Sequence, residues 1–277
     1  MPAFQSVESI WRAVQWLVST LELDETLELL LLHVTRDELG RGAGHGGDLW
    51  RRLVEREARA GDGLQASALL VGFTFGPGAD DVATLQALGA LGAALHAPVV
   101  AGASPACLGV SSVAAQPDPR EWTPLDRDAE ARWTTLRVQP AAAHLGLIAP
   151  RFLLRLPYGQ KSDPVSAFRF EEQPPTPKHE WFLWGNSAFA CGVVISRVLA
   201  PDVDLDSAGT LERLPAFVYT SDDESTLQAP AEIAPTEAAV IAIQSRGIMP
   251  IVSYKGRDDI RLVMLHSLAS PPSDLLV

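Results

Sequence analysis

The chain has 277 residues and a mass of 29.7 kDa, with 47% apolar residues, 20% charged residues and a mean hydropathy of +0.10. That balance excludes wholesale disorder, collagen and coiled coil, and a chain this long can bury nearly three quarters of its unfolded surface, about 43,000 Å², without disulfides or metals. Thirty-four acidic residues against 22 basic ones give a formal charge of −12, and with only Lys161, Lys178 and Lys255 as lysines no phosphate-tracking groove for nucleic acid is expected.

Met1 to Glu8 has neither a basic region nor an apolar core, so it is not a secretory leader. Val7, Ile10, Trp11, Val14, Leu17, Val18 and Leu21 then share one helical face, with Ser6 placed to cap it. Leu27 to Val34 (LELLLLHV) reads as a strand covered on both faces. Thr35 to Gly47 is polar and glycine-rich and reads as a loop. Asp48 is placed to cap a helix carrying Leu49, Trp50, Leu53 and Val54, which Gly61 stops.

Ala66 to Phe75 is a second buried strand, closed by Gly76-Pro77-Gly78. Asp80 and Asp81 start a long helix through about His96, at the end of the dipole that favours acids. Gly89, Gly92 and Ala93 give that helix a small-residue stripe for close packing on a sheet. The apolar window from Ala87 to Ala103 is broken by His96 and Pro98, so it makes no spanning helix. Val99 to Ala101 follows as a short strand. The alternation of strands and helices predicts an α/β fold: a mixed, largely parallel sheet flanked by helices.

The second half is less regular. Asp126 to Arg137 reads as a helix, and so do Pro150 to Leu154, with Pro at its first position, and Trp181 to Leu199. Pro174-Pro175-Thr176-Pro177 marks a surface loop. Ala216 to Thr220, Ile248 to Tyr254 and Ile260 to Leu265 read as strands, and Thr236 to Arg246 as a helix stopped by Gly247. The tail Ser270-Pro271-Pro272-Ser273 reads as loose. No repeat or linker divides residues 1–277.

The search for chemistry returns little. Gly42-Ala43-Gly44-His45-Gly46-Gly47 satisfies G-x-G-x-x-G, but seven residues separate it from the preceding apolar run and no Lys-Ser/Thr follows. His33, His45, His96, His144, His179 and His266 show no ligand spacing, and Leu183 stands where His179-Glu180 would need a second histidine, so no metal is expected. Ser104 and Ser187 lack the second glycine of a nucleophile elbow. Cys107 and Cys191 sit in apolar surroundings as free buried thiols of a reducing compartment. Trp11, Trp50 and Trp184 lie on apolar helical faces. Arg151 and Arg155, four apart, could clamp an anion or pair with carboxylates, and the acidity of the chain favours pairing. Asn186, the only asparagine, stands beside Gly185 where it could satisfy backbone groups at a close approach.

Three strings carry a more specific signal. They are Ala97-Pro98-Val99-Val100-Ala101-Gly102-Ala103-Ser104-Pro105, then Pro150-Arg151-Phe152-Leu153-Leu154-Arg155-Leu156-Pro157-Tyr158-Gly159 followed by Phe168 to Glu172, and Leu183-Trp184-Gly185-Asn186. With Glu8-Ser9-Ile10-Trp11 at the start, they make the chain resemble the large subunit of the type VI secretion contractile sheath. The resemblance implies a noncatalytic assembly protein that uses no cofactor. Trp11, Pro98, Gly102, Pro150, Arg151, Arg155, Pro157, Tyr158, Gly159, Trp184, Gly185 and Asn186 are then structural or interface residues. Implied partners are a small sheath subunit or other secretion components, in the cytoplasm, with no nucleic acid and no membrane.

Relative to the family pattern the chain looks shortened at both ends. Contact with the disassembly ATPase is therefore doubtful, and the isolated chain is expected to stay monomeric or in small oligomers. An accessory paralogue that no longer polymerises, and an enzyme with a nonlocal active site, are the alternatives from other classes.

Overall fold

The structure, a computed structural model, describes residues 2–21, 27–60, 65–173, 178–200, 202–221, 224–254 and 256–276. The proline cluster 174–177, Gly61 and Lys255 lie outside these residues. The chain opens with three helices, α1 (Pro2–Thr20), α2 (Arg36–Gly42) and α3 (Asp48–Ala60). An alternating block follows: β1 (Leu69–Phe75), α4 (Ala79–Ala94), β2 (Val99–Ala103), α5 (Arg127–Arg137) and β3 (Leu145–Ala149). Then come β4 (Phe152–Leu153), β5 (Trp184–Gly185), α6 (Ala188–Val198), α7 (Leu205–Ala208) and β6 (Thr210–Leu211). The chain closes through β7 (Phe217–Ser221), β8 (Glu224–Gln228), α8 (Glu237–Ser245), β9 (Ile248–Val252) and β10 (Ile260–Leu262).

Six strands form the main sheet in the order β1-β2-β3-β9-β10-β6. The first four run parallel, and β10 is antiparallel to both its neighbours. Strands β2 and β9 are buried at every residue, as strands covered on both faces must be. One face carries α1 and α6, whose Ala13, Leu17, Cys191 and Val194 pack with Val100, Ile148 and Met249. The other carries α4, α5 and α8, whose Leu85, Leu88, Trp133 and Ile243 pack with Val99, Leu147 and Ile248. The three-layer α/β architecture is the one the alternation predicts. The accessible surface is 15,014 Å², larger than the roughly 11,600 Å² of a compact chain of this mass; an open apolar cleft beside β1 adds to it.

Several elements depart from the sequence expectation. Ser6 lies inside α1 and caps nothing. Burial on α1 is rotated toward Ala13 and Leu17, and Trp11 is 62% exposed together with Val7 and Val18. Leu27 to Val34 pairs with no strand, and Leu30, Leu31 and Leu32 are exposed. The expected loop from Thr35 contains α2. Its cause is a capping box: the Glu38 N–H donates to the Thr35 hydroxyl, and the Thr35 N–H donates to the Glu38 carboxylate at 2.8 Å. Asp48 is the first residue of α3 and not a cap before it.

Pro150 to Leu154 is no helix. Phe152–Leu153 pairs antiparallel with Trp184–Gly185, so the expected helix from Trp181 begins only at Ala188. The stripe on α4 packs on the sheet as expected and on a 3₁₀ turn as well: a Cβ at Gly92 would stand 3.0 Å from Val99 Cγ2 of β2 and 3.1 Å from the His144 Cβ, and one at Gly89 2.4 Å from the Ala141 carbonyl oxygen. The tail is tied down. The Leu268 N–H donates to the Leu145 carbonyl at 2.7 Å, Ser267 and Ser273 bond through their hydroxyls, and Leu275 is buried.

Candidate functional site

Two of the motif strings meet where β4 lies between two other segments, and the third reaches them through Gly102, which lies against Asn186. On one side β4 pairs with β5, and the Leu154 N–H donates to the Leu183 carbonyl at 3.0 Å. On the other the Leu153 N–H donates to the Pro230 carbonyl, and the Glu232 N–H to the Arg151 carbonyl. Arg151 and Arg155 leave this strip in different directions and reach different carboxylates. They do not form one clamp.

Arg151 forks onto Glu232, with Nε at 3.0 Å from Oε2 and Nη2 at 2.6 Å from Oε1. His179 Nε2 lies 2.8 Å from the same Oε1, and its ring stacks on Trp184 at 4.9 Å. Trp184 Nε1–H in turn donates to the His179 carbonyl at 2.9 Å. The Glu232 side chain is only 2% exposed. Burial works to raise its pKa, but the hydrogen bonds from His179 and Arg151 outweigh it and hold the carboxyl at about 2.

Arg155 is the more enclosed of the two, with 8% of its side chain exposed. Its guanidinium bonds Glu8 through Nε at 2.7 Å and Glu172 through Nη1 at 2.6 Å, and donates to the Leu156 carbonyl. It also lies 4.1 Å from the centre of the Tyr158 ring. Burial opposes the charge on Arg155, yet the bonds to Glu172 and Glu8 raise its pKa, and the Arg155 and Tyr158 bonds lower that of Glu172. Arg12 of α1 donates to the Tyr158 hydroxyl at 2.8 Å. The cluster thus ties the first helix to the 155–172 segment. Pro157 is buried, and its carbonyl accepts from Ser162. A Cβ at Gly159 would stand 2.5 Å from the Glu171 carboxylate.

The Asn186 side chain plugs a break in the sheet. The register of β1 on β2 shifts between Val71 and Thr74. At that bulge Asn186 Nδ2–H donates to the Phe73 carbonyl at 2.9 Å and, at 3.4 Å, to that of Val71, while Oδ1 accepts from the Ala188 N–H. Gly102 must be glycine for this contact, since a Cβ there would meet the Asn186 amide at 2.9 Å. Gly185 is held as closely against Leu154, at 2.7 Å. Ser187 Oγ–H donates to the Pro150 carbonyl, and Pro98 opens β2 by accepting from the Leu69 N–H. Trp11, on the exposed side of α1, joins none of these contacts.

Of the partners, Glu232 was not singled out from the sequence, and His179 was weighed there only as a metal ligand. Glu8 and Glu172 stood within quoted strings, whereas Glu232 had no local signal. Chemically the arrangement consists of paired charges and satisfied backbone groups. Ser187 is spent on a carbonyl, and burial pushes the Cys107 and Cys191 thiols up to about 12, far from the thiolate a nucleophile needs. Among the described residues no three His, Cys, Asp or Glu side chains converge to hold a metal, and no helix is long and apolar enough to cross a membrane.

Comparison with known proteins gives one consistent answer. The family described as VipB: EvpB/VC_A0108, tail sheath N-terminal domain, matches residues 1–269. The type VI secretion system sheath protein TssC1 of Pseudomonas aeruginosa is 32% identical over 283 aligned positions, which take in 97% of this chain. The chain spans 57% of the length of that relative.

Proposed function

This chain belongs to the EvpB/VC_A0108 tail-sheath family, and from that premise we propose that it is a noncatalytic structural module of a type VI secretion sheath, with a small sheath subunit as its partner in the cytoplasm. The observation that carries the reading is the family match along residues 1–269. The site geometry supports it. Arg151, Arg155, Tyr158 and Asn186 spend their polar atoms inside the chain, and an assembly protein needs a fixed shape more than a reactive group. On this reading Pro98, Gly102, Pro150, Pro157, Gly159, Trp184 and Gly185 are structural too. Trp11, 62% exposed and outside these contacts, is left for an interface, and Phe168, Phe170 and the Arg151 side chain of the same strings are open to solvent as well. We also take residues 1–277 as one structural unit.

The test is capture of the small sheath subunit from the same secretion system by the tagged chain, scored beside Trp11→Ala. Capture by the parent chain, weakened at least fivefold by Trp11→Ala at an unchanged melting temperature, is the expected result. Equal capture by both removes Trp11 from the interface, and no capture by either contradicts the partner.

A further inference from the structure

Strand β1 is an edge of the main sheet. Across from its open side runs Leu27–Val34, with six apolar residues in eight and no ladder of its own. Residues of both line one cavity of about 670 Å³, walled also by α1, α3 and Phe189.

Contacts at both ends give the direction of this segment. Glu28 lies 3.9 Å from Arg56 of α3, and the next residue, Glu57, accepts the Ala66 N–H at 2.9 Å, so Glu28 sits near the start of β1. Arg36 Nη2–H donates to the Thr74 carbonyl at 2.9 Å, so the segment ends where β1 ends. Eight positions separate Glu28 from Arg36, and eight separate Ala66 from Thr74. The segment therefore runs parallel to β1 and matches its length.

Its side chains are already in phase with a strand. Val34 packs in the cluster that takes Val71 and Phe73, and the Arg36 guanidinium lies over Phe75 at 4.9 Å. Leu29 packs in the opposite cluster, with Ala68 and Leu70. Even positions of the segment thus share a face with odd positions of β1. Only an odd offset satisfies this, and Arg36, which lies closer to the Phe75 ring at 4.9 Å than to the Phe73 ring at 5.8 Å, favours 39, which sets Leu30 beside Leu69, Leu31 beside Leu70 and Leu32 beside Val71.

We propose that Leu29–Val34 is a strap that closes on β1 as a seventh, parallel strand in this register. Closure takes Leu30, Leu31 and Leu32 out of water, where they are 50%, 59% and 53% exposed. It also gives partners to the outer N–H and C=O groups of β1, which an edge otherwise leaves to solvent. The proposal does not depend on the sheath reading.

Paired cysteines test it, because Cys107 and Cys191 are fully buried and do not compete. Under mild oxidation Leu31→Cys with Leu70→Cys should form an intramolecular disulfide. Leu30→Cys with Leu70→Cys, which places the thiols on opposite faces, should not. Hydrogen exchange on the unmodified chain gives a second readout that no misfolded variant can confuse, and the amides of residues 29–34 should be slowed at least 100-fold against free peptide. Exchange at free-peptide rates, protection that arises only when a second protein is added, or equal cross-linking of both pairs would overturn the proposal.

Discussion

At the scale of single residues the family strings hold the chain together by consuming polar atoms. Removing the Asn186 amide strands the Phe73 carbonyl at a bulge, so Asn186→Ala should lower stability by about 1 kcal/mol or more, read from the thermal midpoint. An unchanged midpoint with lost partner binding would make this turn an interface. Arg155 is worth more because its loss leaves two carboxylates facing each other. Arg155→Met should cost about 3 kcal/mol or more in urea titrations. Glu232 makes stability depend on acid. Its carboxyl is held at about 2 against an ordinary 4.5, so its contribution is complete above about pH 4.5 and is lost as the pH falls toward 2. Glu232→Gln should flatten the fall in urea midpoint between pH 5 and 3, and a fall as steep as that of the parent would remove Glu232 as its source. Residue chemistry was partly readable beforehand. The acidity of the chain said that Arg151 and Arg155 would find carboxylates, but Glu232 lies 81 positions from Arg151, and no local pattern could name it.

At the scale of elements, packing decides more than propensity. Gly89→Ala on α4 sets a methyl group against the Ala141 carbonyl oxygen and should lower the melting temperature by several degrees. Gly44→Ala, which meets nothing within 4 Å, should leave it unchanged. The long periodic elements were readable from sequence: α4, α5 and α8 stand close to where periodicity and caps put them, with Asp126 and Thr236 as side-chain N-caps. The short ones were not. Strand β3 is Leu-Gly-Leu-Ile-Ala, too brief to show a period, and it is a strand because β2 and β9 pair with it on both sides. Residues 150–154 look helical until β5, some 30 positions later, pairs with them. Helix α2 did have a sequence signal, Thr35 to Glu38, hidden by the glycines that follow.

At the scale of the whole molecule, a parallel sheet is covered on both faces by helices, and its polar cross-links tie the first helix and the late segments back to it. Alternating strands and helices were enough to give that class of fold, because a parallel sheet needs crossover helices. The strand order and the packed tail were beyond sequence reasoning, since both depend on contacts between distant parts of the chain. On the proposed reading the molecule is a shaped, acidic block for a larger assembly, and the family match is what supports that reading. The most direct test is size-exclusion chromatography with light scattering on the chain mixed with the small sheath subunit of the same system. A coeluting complex heavier than either component is the predicted result. Two separate peaks at micromolar concentration, each with the mass it has alone, would contradict a sheath role.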